Sequence, residues 1–100
     1  MPKEFNVGKI VLTKAVDELM HSDEKFRNFV NTALGMHINC NWGKISPEDK
    51  KKNDDALENG ERLVSQYRRS GMSKDEPNSR IQIITEADRS VTTILFAEEN

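Results

Sequence analysis

Cysteine is nearly missing from this chain: Cys40 is the only one among its 100 residues. No disulfide can close within one copy, and a reducing compartment is the natural expectation, here the cytoplasm. Aromatic residues are scarce, with a single Trp and a single Tyr, so each one carries weight in a small core. No apolar run approaches the roughly 20 residues that a membrane-spanning helix needs. The opening stretch MPKEFNVGKIVL holds neither a long apolar core nor a cleavage site. Neither sign of charge dominates, since 15 basic and 17 acidic side chains leave a net charge of −2. That balance gives no overall drive toward nucleic acid and is too small for a mimic of DNA. Phosphate-binding loops, dinucleotide fingerprints, serine nucleophile elbows and calcium-binding loops are all absent. An enzyme of the familiar classes is not expected on this ground, nor is a cofactor.

What the chain does have is a strong hairpin near its C-terminus, Arg80–Phe96. Its two halves are rich in Ile, Val and Thr, whose stiff side chains suit a pleated surface. Ile81, Ile83, Thr85 and Ala87 fall on one face, and Gln82, Ile84 and Glu86 on the other. Asp88-Arg89-Ser90 between them is a short polar turn, so the two strands pair antiparallel. Because the turn holds no glycine, a turn with a bulge is expected rather than an Asn-Gly turn. Apolar residues on both faces predict that the second face is also partly covered.

The remaining chain supplies cover. Phe5–Leu12 reads as a first strand, with Gly8 marking a bulge or a close backbone approach. Thr13–His21 reads as a short helix capped by Thr13. Ser22 or Asp23 caps a second helix, whose residues Phe26, Phe29, Val30, Ala33, Leu34 and His37 keep helical spacing. Phe26, Phe29 and Leu34 are expected in the core. Ser46-Pro47-Glu48-Asp49 starts a third, almost wholly polar helix, Pro47–Glu58, ended by Asn59-Gly60. Glu61–Arg69 alternates as a strand, and Ser70–Ser79 has the composition of a mobile polar loop. The order β-α-α-α-β-β-β predicts a single α+β domain over residues 1–100. Its antiparallel sheet of about four strands would carry the helices on one face.

Several groups bear chemistry. Glu86 and Asp88 flank the hairpin turn and, as neighbouring carboxylates, suit a metal ion or acid–base work. The bland alternative has Asp88 and Ser90 holding the turn with Arg89 solvated. His37 and Cys40, with His21 upstream, are spaced as metal ligands, but the second Cys or His pair that a four-ligand zinc site commonly includes is lacking. His37 therefore reads as a histidine at the core edge. Trp42 reads as a core lid or, in the alternative, an interface anchor. Lys50-Lys51-Lys52 meets Asp54, Asp55 and Glu58 on the same helix, a pattern of solvated i, i+4 pairs rather than a phosphate site. Arg68, Arg69, Lys74 and Arg80 form a second basic group, with only Tyr67 as an aromatic partner.

Three stretches together carry a resemblance: KEFNVGKIVLT at Lys3–Thr13, Trp42–Asp49 leading into Asn59-Gly60-Glu61-Arg62-Leu63, and IITEADRSVTTILF at Ile83–Phe96. They resemble a family of small plasmid-related proteins carried on bacterial plasmids and phage-like elements. The resemblance spans most of the chain and is most specific in its final stretch. It implies a non-enzymatic accessory protein of a mobile genetic element, residing in the cytoplasm of a bacterial host. Compact anti-CRISPR inhibitors are similar in size, acidity and setting. By that analogy the partner is a type II CRISPR effector nuclease, with interference in guide-RNA loading and a possible RNA contact. Such a nuclease holds its nucleic acid in a positively charged channel. Asp54, Asp55, Glu58, Glu61, Glu98 and Glu99 are then the acids to meet a basic surface, with Trp42, Glu86, Asp88 and Arg89 as further contacts. The alternatives are a nucleic-acid-binding accessory protein using Lys50–Lys52 or Arg68–Arg69, and a metal-dependent enzyme using Glu86 and Asp88. Either a monomer or a homodimer fits the chain.

Overall fold

The hairpin forms where the sequence places it. In a computed structural model, describing residues 6–73 and 75–99, the elements run β1 (Lys9–Leu12), α1 (Lys14–Ser22), α2 (Glu24–Ile38), α3 (Pro47–Asn59), β2 (Leu63–Arg68), β3 (Arg80–Thr85) and β4 (Val91–Phe96). A short 3-10 turn, Ala97–Glu99, follows. Phe5, expected to open the first strand, lies outside the described residues.

The sheet order is β1-β4-β3-β2. β2 pairs antiparallel with β3, and β3 with β4. β1 pairs parallel with β4, Ile10 opposite Thr92 and Leu12 opposite Ile94. The α+β class therefore stands, but the sheet is mixed rather than antiparallel throughout. A short turn dictates antiparallel pairing; β1 has no short link to any strand, so nothing local fixed its direction.

Each helix start follows its cap. The Thr13 hydroxyl accepts from the Val16 amide, the Asp23 carboxylate from Phe26, and Ser46 from Asp49. α3 closes on Gly60 in the left-handed conformation, φ 70°, which glycine adopts without penalty. α1 and α2 cover one face of the sheet. Phe26, Val30 and Ala33 are buried there against Tyr67, Ile81, Ile83, Ile94 and Phe96. The buried spine of α2 is Phe26, Val30, Ala33 and His37. Phe29 and Leu34, expected in the core, flank this spine and are only partly buried. A second cluster, Trp42 with Ala56 and Leu63, ties α3 to β2. On the opposite face Ile84 and Leu95 are also buried.

Gly8 and Gly43 serve close approaches. Both have positive φ, and a Cβ on Gly8 would collide with the Ser90 carbonyl, one on Gly43 with the Gln66 carbonyl and the Tyr67 ring. Gly43 thereby sets the chain beside β2. The Gln66 amide donates to the Trp42 carbonyl at 3.2 Å, and the Lys44 amide to the Gln66 carbonyl at 2.6 Å.

Candidate functional site

Four of the acids and the hairpin turn prove to be neighbours, joined by Arg89. This residue has φ 62°, a left-handed conformation that is uncommon outside glycine and asparagine. Its amide donates to the Glu86 carbonyl at 2.9 Å, closing the turn. Its guanidinium donates to the carbonyls of Ala56, Glu61 and Glu86. A cation at the C-terminus of α3 matches the negative end of the helix dipole. Arg89 is therefore half-buried and bonded, which corrects the picture of a solvated arginine. Asp88 is held as the turn reading required: Ser90 donates to it through its hydroxyl, 2.6 Å, and its amide, 3.0 Å. The Ser90 hydroxyl, then the Ser90 amide, keep the Asp88 carboxyl below its usual range.

The result is one acidic end of the molecule. Glu61, Glu86 and Asp88 are exposed around the Arg89 anchor. Glu58, in the last turn of α3, is exposed beside them. Asp54 and Asp55 sit one turn earlier with different duties. Asp54 accepts from the Trp42 indole at 3.1 Å, and Asp55 pairs with Lys51 at 3.6 Å. Glu98 and Glu99, expected as contact acids, are engaged locally. Glu98 accepts from the Asn78 amide, and Glu99 from the Phe96 amide and the Thr13 hydroxyl.

Trp42 is 3% exposed and is the core lid; its ring packs edge-on against His37 at 5.5 Å. His37 lies deeper than the core edge expected of it. Its Nδ1 is 2.6 Å from the Ser65 hydroxyl and its Nε2 2.9 Å from that of Thr85. Thr85 and Thr92 share a bond of 2.7 Å, and Thr92 donates to the Val7 carbonyl at 2.8 Å. The proton order follows from the end of the chain. A carbonyl only accepts, so Thr92 spends its proton on Val7 and accepts from Thr85. Thr85 in turn accepts from Nε2–H, and Nδ1 is left to accept from Ser65. Burial, and then the positive charge of Arg89, push the His37 pKa down to about 4. Burial likewise pushes the Tyr67 hydroxyl, which donates to the Asn41 carbonyl at 2.6 Å, up to about 12. Cys40 packs on the Trp42 cluster. Among the described residues no three His, Cys, Asp or Glu side chains stand close enough to hold a metal ion.

The basic group divides. Arg69 bonds Asp23 at 3.3 Å and lies over the Phe26 ring, tying β2 to the start of α2. Arg68 and Arg80 are register partners on the other face of the sheet. Lys74 lies outside the described residues. Sequence reasoning missed Asn53. Its side-chain amide donates to the Val64 carbonyl at 2.6 Å and accepts from the Val64 amide at 3.1 Å. The residue is buried in a helix that reads as wholly solvated, and only its isolated place among charged neighbours hinted at a separate task. Comparison of the chain with family models, with curated proteins and with solved structures found no match.

Proposed function

We propose that this chain is a non-enzymatic inhibitor carried by a mobile genetic element, and that it binds a type II CRISPR effector nuclease through its acidic end. The target is taken from the sequence resemblance; the contact surface is read from the geometry. The observation that supports the surface is the Arg89 anchor. It fixes the C-terminus of α3 against the hairpin turn, so Glu58, Glu61, Glu86 and Asp88 project from two rigid elements. Acids held on a rigid base suit a basic protein surface, such as a channel that holds nucleic acid, and their long-range attraction speeds encounter at low salt.

The test is a reconstituted DNA-cleavage assay with a purified effector, the inhibitor being added before or after the guide RNA. Inhibition only on early addition is the expected result and marks competition with guide loading. A triple variant, Glu58→Lys, Glu61→Lys and Glu86→Lys, is expected to lose inhibition while keeping its thermal midpoint. Cleavage unaffected across several effectors would overturn the target, and full inhibition by the triple variant would overturn the surface.

A further inference from the structure

The acidic end has a counterpart elsewhere on the molecule. α3 flanks the β2 border of the sheet and leaves a groove there, with a cavity of about 520 Å³, toward the face opposite α1 and α2. Lys44, Lys52 and Arg62 line it, and it runs on through Gln66 to Arg68 and Arg80. Among the described residues Asp49 is the only carboxylate in that lining, against five cations. The alternation of β2 puts Arg62, Val64, Gln66 and Arg68 on one side of the strand, and Arg80 joins them as the register partner of Arg68. From Arg62 to Arg68 the extended chain covers about 20 Å at roughly 3.3 Å per residue.

A second observation lies at the Arg80 end. The Nε of Arg80 is buried with no hydrogen-bond partner among the described residues. Buried N–H groups are nearly always satisfied, so this guanidinium has bonding capacity unspent beside the groove. Phosphate oxygens are strong acceptors for guanidinium groups. A single small anion would fill one end and leave the other cations idle, whereas a strand of linked phosphates would meet them in turn. Among the described residues the lining holds no aromatic ring, so it offers bases nothing to stack on.

We propose that this groove binds the phosphodiester backbone of a single nucleic-acid strand, without regard to its sequence. The proposal is independent of the inhibitor reading, because the groove and the acidic end use different residues.

Fluorescence anisotropy of a short labelled poly-U RNA, titrated with the intact chain and with no nuclease present, tests it. Each phosphate neutralised on a single strand contributes about −0.7 to the slope of log K against log salt. Three to five contacts therefore predict roughly twenty- to hundred-fold weaker binding on going from about 50 to about 200 mM salt. The double variant Arg62→Gln/Arg68→Gln should bind at least about tenfold more weakly, with the slope shallower by about 1.4. Lys14→Gln, on α1 and away from the groove, should bind as the parent does. Circular dichroism checks that each variant keeps the fold. Absence of binding at low salt, or binding unchanged in the double variant, would overturn the proposal. Equal competition by poly-glutamate of matched charge would do so too, since the groove would then be a site for acidic peptide. None of these results bears on nuclease inhibition, which the cleavage assay reads separately.

Discussion

His37 shows how one side chain can set the acid limit of a fold. It is fully buried, and a proton added to Nδ1 would place a charge in a dry core near Arg89. Its folded pKa of about 4 lies below the ordinary 6.5. The unfolded chain therefore takes up the proton first, and stability falls as pH drops below 6.5. By pH 5 the loss is about 2 kcal/mol, from 1.36 kcal/mol per unit. Urea unfolding at pH 7.5, 6.5 and 5 should show a plateau and then this fall. In His37→Gln the fall over that window should largely vanish, whatever the variant's stability at neutral pH. A parent protein as stable at pH 5 as at pH 7.5 would contradict the burial of a neutral imidazole. The sequence placed His37 on the apolar side of its helix by spacing alone. It did not reveal Ser65, Thr85 and Thr92 as partners, because these sit on three different strands and read there as ordinary strand residues.

At the scale of elements, α3 is the one whose role was least legible. Its capping by Ser46 and Pro47 and its end at Gly60 followed from local chemistry. Its polar composition suggested a helix bathed in water. Besides the Arg89 bond to its C-terminus, three contacts dock it: Ala56 in the Trp42 cluster, Asp54 on the indole, and Asn53 on Val64. The Asn53 amide serves Val64 as a neighbouring strand would, donating to its carbonyl and accepting from its amide. Replacing it with Ala leaves both backbone groups of Val64 without this partner. The expected cost is about 2 kcal/mol, within the range for stranding buried polar groups, measured by urea unfolding. Asn53→Asp keeps the acceptor and loses the donor, so it should fall between Ala and the parent. A cost near zero for Asn53→Ala would mean that water replaces the amide freely. No short-range pattern could announce this contact, since the amide's partner is a strand backbone beyond the end of the helix.

On the scale of the whole molecule, the strands and helices were legible and the wiring of the sheet was not. Alternation marked β2, β3 and β4, and a short turn fixed β3 against β4. The place of β1 beside β4, and its parallel sense, depend on the path of the chain through three intervening helices. Charge shows the same divide. A net of −2 suggested a surface without electrical character, yet folding sorts the charges into an acidic end and a basic groove. Lys44, Lys52 and Arg62 come from a loop, a helix and a strand entrance, so their meeting was invisible in the linear order. Glu58, Glu61, Glu86 and Asp88 likewise converge only because Arg89 joins their elements.

The two borders of the sheet are unlike. Along β2 the outward backbone groups of Val64 and Gln66 are taken by Asn53, Trp42 and Lys44. β1 is the other border, and it shows Ile10 39% and Val11 37% exposed. Among the described residues no strand lies outside β1, and an open border on that side alone would give the protein a valency of one for strand addition. Two copies meeting border to border would use up both reactive borders, and a third would find no place to join. Sedimentation velocity at rising concentration should accordingly show nothing larger than a dimer. Asn53→Ala frees only the backbone groups of Val64, because Gln66 stays bonded to Trp42 and Lys44, so this variant too should form nothing larger than a dimer.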